Sequence, residues 1–171
     1  NGTAVTTLLL TGLALNALCS AGVGLLSYVA DDTALRNFIF WSLGSCARAT
    51  PAQLLLAAPL LLGVWAGALR YGRHLDALLL GEREAGYLGV RVERLKLGVL
   101  LLVALGVGVS VALTGLIGFI GLIAPHLARR LVGALHRQML PMSAVIGALL
   151  LVLADLTCRT VWAPAEVPVG I

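Results

Sequence analysis

Two long stretches of this chain carry no formal charge, and they limit what it can become. Residues 1–30 contain no Asp, Glu, Lys or Arg, and residues 97–128 contain none either, leaving His126 as the one imidazole there. A helix needs about 20 mostly apolar residues to cross the roughly 30 Å hydrocarbon core of a bilayer. Each stretch is long enough to cross at least once. The rest of the composition agrees: 60% of residues are hydrophobic, 12% are charged, and the mean hydropathy is +1.00. Soluble domains carry about a quarter charged residues, so that class is excluded. The net charge of +4 does not point to nucleic acid, because its distribution along the chain matters more than its sum.

Five spans are expected. The first covers about 5–28. The second covers 51–69 and is opened by Thr50-Pro51, a helix start with proline at the first helical position. The run 97–128 is too long for one untilted crossing, and Thr114-Gly115 breaks it into spans near 97–113 and 116–132. The fifth runs from about 141 to 161, opened by Pro141 and interrupted by Asp155. The expected fold class is an all-α integral membrane protein, a polytopic bundle with about five transmembrane helices. Asn1 is not an initiator Met, and neither a basic n-region nor an A-x-A site accompanies the first apolar run. The expectation is a piece of a longer protein whose first span is internal.

Charge assigns the sides. Arg70, Arg73, Arg83, Arg91, Arg94 and Lys96 lie between the second and third spans, and Arg129, Arg130 and Arg137 lie between the fourth and fifth. Arg36, Arg48 and Arg159 fall on the other side, so nine basic residues oppose three. The positive-inside rule places the nine in the cytoplasm. Twenty glycines, including Gly63-x-x-x-Gly67 and Gly115, Gly118 and Gly121, suit closely packed membrane helices. With Pro59, Pro125 and Pro141 they suggest helices that bend or break, as transporters need. Cys19, Cys46 and Cys158 lack metal-ligand spacing and read as small apolar residues.

Three places could carry function. Segment 75–95, "LDALLLGEREAGYLGVRVERL", is too polar to span and suggests two short helices around a glycine corner. It is either a solvated loop or a docking element for a cytoplasmic partner. Pro125 and His126 sit near the end of a span. His126 could bond a carbonyl freed by Pro125, or serve a proton relay or gate. Asp155 is an acidic residue within a span, a functional hypothesis by default, and Arg159 lies one turn on, where the two can pair. Phosphate loops, G-x-S-x-G, H-E-x-x-H and EF-hand patterns are absent. The chain reads as a non-enzyme with no cofactor or metal of its own, so any ATP is hydrolysed on another subunit.

Together these residues resemble a known family, the permease subunits of type II ABC importers for iron-siderophores, haem and cobalamin. The resemblance rests on "TGLIGFIGLIAPHLARRLVG", on "HRQMLPMSAVIGALLLVLADLTCRT" and "PAEVPVGI", and on "LGEREAGYLGV" with its G-E-x-x-A-x-x-L-G pattern. It implies that residues 1–171 are part of one permease domain of roughly ten helices, lacking its N-terminal half and last helix, with 75–95 as a cytoplasmic coupling loop. It further implies that Gly81, Glu82, Ala85, Leu88 and Gly89 contact the ATPase subunit. Thr6, Thr7, Pro125 and His126 would then lie by the channel and inner gate, "DDTALRNFIFWSLGS" would form a short outer helix, and Arg159 would dock a binding protein.

The expected function is therefore uptake of an iron chelate (haem or a ferric siderophore, possibly cobalamin) across the bacterial inner membrane. "LRNFIFWSLGS" is closer to the haem branch. The implied partners are a second permease subunit, two ATPase subunits, a periplasmic or lipid-anchored binding protein and membrane lipid, with no nucleic acid. The rivals are an ion-coupled secondary transporter using Asp155 and His126, and a purely structural membrane subunit.

Overall fold

The computed structural model describes residues 5–161 and 169–170. Among them are α1 (Val5–Val29), α2 (Asp32–Ser42), α3 (Pro51–Leu78), α4 (Glu82–Tyr87), α5 (Val92–Thr114), α6 (Ile120–Val132) and α7 (His136–Val161), with a 3-10 turn at Cys46–Arg48 before α3. No strand occurs among the described residues. The polytopic all-α class holds: α1, α3, α5 and α7 are each long and apolar enough to cross a membrane.

The chain divides into two units, Asn1–Phe40 and Trp41–Ile171. In the first, α1 has 25 residues, about 37 Å at a 1.5 Å rise. Its leucines are uncovered, Leu18 at 70% and Leu26 at 73%, so lipid or other helices must take up this surface. The short helix expected from "DDTALRNFIFWSLGS" is α2, with Asp32 in its first turn where a carboxylate complements the helix dipole.

In the second unit α3 starts as the sequence indicates. Thr50 and Gln53 form a reciprocal capping box, and Pro51 opens the helix. It runs on to Leu78, nine residues beyond the expected end at 69. Arg70 and Arg73 mark where hydrocarbon ends, but they are good helix formers and do not end the helix. The third span likewise begins earlier, at Val92. The fifth begins at His136, with Pro141 inside it.

Helices α3 and α5 lock together antiparallel through small residues. A Cβ on Gly67 would meet Leu102, one on Gly106 would meet Val64, and one on Gly98 would meet the Tyr71 hydroxyl. Each helix gives a notch to a side chain of the other. Of Gly63-x-x-x-Gly67, only Gly67 is used this way, since nothing lies within 4 Å of a Cβ on Gly63.

The break at Thr114-Gly115 is where the sequence places it: α5 ends at Thr114 and Gly115 turns the chain at φ 74. The next segment differs from the expected span 116–132. Only the 13 residues Ile120–Val132 are helical, about 20 Å, which is too short to cross alone. Gly147, well inside α7, packs on Ala124 and Ile120, so α6 covers the arginine-rich part of the depth. Residues 115–119 link α5 to α6 as irregular backbone, with Leu116 and Phe119 largely exposed. Phe119 makes the entry into α6 at φ 63, a left-handed conformation uncommon for a bulky residue. No local pattern announces that turn.

Candidate functional site

At the arginine-rich end, α3 and α5 are joined by α4. Gly81 begins the turn at φ 112 and Gly89 ends it at φ 82. Glycine reaches both values without the Cβ penalty other residues suffer. The Ala85 amide donates to Gly81 O at 3.0 Å, and the Val90 amide donates to Ala85 O at 3.0 Å. Ala85 is fully buried. The Lys96 ammonium donates to Glu82 Oε2 at 2.8 Å and ties α4 to the second turn of α5. The structure thus brings Gly81, Glu82, Ala85, Leu88 and Gly89 into one turn. The expected pair of short helices is one: Leu75 to Leu78 are the end of α3, because nothing before Gly81 interrupts the helix.

Sequence reasoning missed Asp76. Its Oδ1 accepts from the His136 backbone amide and lies 3.2 Å from His136 Nδ1. It acts as an N-cap for α7 supplied by another helix, which is why α7 starts five residues before Pro141. The two residues are 60 apart in sequence, so no local spacing could reveal the pair.

The opposite end is built differently. Ser45 donates its amide to Thr114 O at 2.7 Å, and Gly170 donates to Gly44 O at 3.3 Å. A Cβ on Gly44 would collide with Leu116 O, one on Gly115 with Trp41 O, and one on Gly170 with Leu43 O and Leu116 O. Nearby, Arg159 Nε donates to Asp155 Oδ2 at 2.7 Å, so the i,i+4 pair forms. The Arg159 side chain is still half-exposed. Burial pushes the Cys46 thiol up, Asp155 pushes it further, and Arg159 opposes them. The 3-10 turn therefore lies beside this pair. Of "PAEVPVGI", all but Val169 and Gly170 fall outside the described residues.

Pro125 and His126 lie within α6 and line a shallow depression of about 210 Å³ with Leu122 and Arg129. His126 is exposed and mid-helix, not at a helix end. Thr6 and Thr7 are in the first turn of α1, exposed, and Thr7 O accepts from the Thr11 hydroxyl at 2.8 Å. They belong to the other unit. No group of His, Cys, Asp and Glu suited to a metal occurs among the described residues.

The model of the FecCD transport family matches residues 1–171. The chain belongs to that family. It is 51% identical over 164 residues to the hemin transport system permease protein HmuU of Yersinia pestis, a match covering 96% of this chain and 49% of that protein. It is 44% identical over 167 residues to the vitamin B12 import system permease protein BtuC of Vibrio cholerae, again covering 96% of this chain and 49% of the relative. A solved metal-chelate type ABC transporter in an inward-facing conformation superposes with a TM-score of 0.92 at 37% identity, over 98% of this chain and 54% of that one. The chain spans about half the length of the curated relatives it matches.

Proposed function

We propose that this chain is part of the permease subunit of an ABC importer, which moves a metal chelate inward by alternating access while a separate subunit hydrolyses ATP. The observation that carries this reading is the α4 turn, a rigid polar corner between two antiparallel apolar helices at the arginine-rich end. Nine basic residues at that end orient it to the cytoplasm, where an ATPase subunit would meet it. Two permease subunits, two ATPase subunits and an exported binding protein complete the proposed assembly in a bacterial inner membrane. Haem is the favoured cargo, supported by the greater identity to the hemin permease than to the B12 permease.

At the outer end we propose that Arg159 meets an acidic group of the binding protein, with Asp155 holding its guanidinium in place. The ion-coupled alternative needs Asp155 and His126 to cooperate. Measured along the helices from the Gly147–Ala124 contact, they are separated by roughly 15 Å in depth. Uptake of haem into vesicles bearing the full-length permease, its ATPase and its binding protein tests the reading. Uptake should require ATP and survive a proton uncoupler. Uptake that persists without ATP and collapses with the uncoupler would overturn it.

A further inference from the structure

On the α4 turn, Gly81 and Ala85 of the recognisable pattern shape the backbone, whereas Leu88 of that pattern and Tyr87 beside it reach outward. Gly81 is held at φ 112 and Ala85 is fully buried. Glu82 is engaged by Lys96, whose side chain is only 17% exposed. Gly81 and Ala85 set the shape of the turn, and the half-exposed Glu82 side chain is tied back to α5 through Lys96. Tyr87 is 90% exposed and Leu88 is 65% exposed. A Cβ on Gly86 or Gly89 would find nothing within 4 Å, so the flanks of this pair are open as well.

An aromatic and an aliphatic side chain side by side on an exposed turn have the form of interface anchors. Their surroundings indicate the partner's chemistry. Residues 70–96 carry six Arg and Lys against four Asp and Glu, a net excess of two positive charges. A groove with an apolar floor and an acidic rim complements this surface.

We propose that Tyr87 and Leu88 are the anchors that enter such a groove on the ATPase subunit, and that Glu82 is a positioning residue acting through Lys96. This inference rests on the reading of α4 as the ATPase-facing turn. It puts the principal contact on Tyr87, a position the G-E-x-x-A-x-x-L-G pattern leaves open, with Leu88 of that pattern beside it.

The test titrates full-length permease in lipid nanodiscs with its ATPase subunit and measures transport per ATP in vesicles. Tyr87→Ala should weaken binding by about tenfold or more with membrane abundance unchanged, and Leu88→Ala by a smaller factor. Glu82→Lys should cut transport per ATP, and the double reversal Glu82→Lys with Lys96→Glu should restore most of it, since the tie re-forms with opposite polarity. Unchanged binding by Tyr87→Ala, with the wild type binding normally, overturns the inference alone. Loss of abundance with unchanged affinity would put Tyr87 in the bilayer interface and also overturn it. Failure of the double reversal would make Glu82 a direct contact, against the proposal. Absence of any binding by the wild type would sink the ABC reading and this inference with it.

Discussion

The two ends of the Trp41–Ile171 unit are closed by different kinds of contact. At the arginine-rich end, side chains connect the helices: the Asp76 carboxylate accepts from the His136 backbone amide, and Lys96 pairs with Glu82. At the other end, backbone meets backbone, with Gly44, Gly115 and Gly170 against the carbonyls of Trp41, Leu43 and Leu116. The exposed Glu82–Lys96 pair is worth little, about 0.2–1 kcal/mol, and side-chain ties of this kind can be broken and remade. Backbone contacts that only glycine permits cannot slide without a clash. The difference suits the proposed importer subunit, whose inner end would respond to a partner while its outer end keeps its geometry.

The same substitution at both ends should break the comparison most sharply. Gly115→Val adds a β-branched side chain at positive φ against Trp41 O. Strain and overpacking together should cost about 4 kcal/mol, seen as loss of membrane abundance and of a cooperative melting transition in detergent. The paired variant Gly81→Val with Gly89→Val strains only α4, which can fray without unfolding the bundle. It should reach the membrane normally yet uncouple ATP hydrolysis from uptake. Wild-type uptake by that variant would count heavily against docking through this turn.

Next in size is Arg159→Glu, which removes the ion pair and reverses the outward charge. Binding to the loaded substrate-binding protein should weaken by about 2 kcal/mol or more, with abundance retained and partial rescue by a Glu→Arg change on that partner. Loss of abundance with unchanged binding would confine Arg159 to serving Asp155. Removing a cap should be milder. Asp76→Ala leaves the start of α7 without its acceptor and should cost about 1–2 kcal/mol in thermal unfolding, most of it recovered by Asp76→Asn. If Ala and Asn behave alike, the backbone bond to His136 is not what fixes that helix start.

The smallest effects sharpen the picture within the membrane. Gly67→Ala presses on the flexible end of Leu102 and should cost less than about 1 kcal/mol, whereas Gly63→Ala should fall within about 0.5 kcal/mol of wild type. A larger loss at Gly63 in the full-length permease would reveal another helix packed on that face.

The residues themselves determined much of this protein. Charge-free runs required membrane helices, because unpaired backbone groups have no water to bind in hydrocarbon. Thr50-Pro51 located the start of α3, Thr114-Gly115 located the end of α5, and the glycines around Glu82 marked the turn, all through local backbone preferences. The boundaries at 69 and 97 were misplaced because charge reports the edge of the hydrocarbon and not the edge of the helix. Tertiary structure alone decided the rest. It joined Asp76 to His136, placed Lys96 on Glu82, selected Gly67 over Gly63, and shortened the fourth span to a helix of 13 residues entered through Phe119. Each of these depends on segments meeting in space, and no pattern within a single segment records its distant partner.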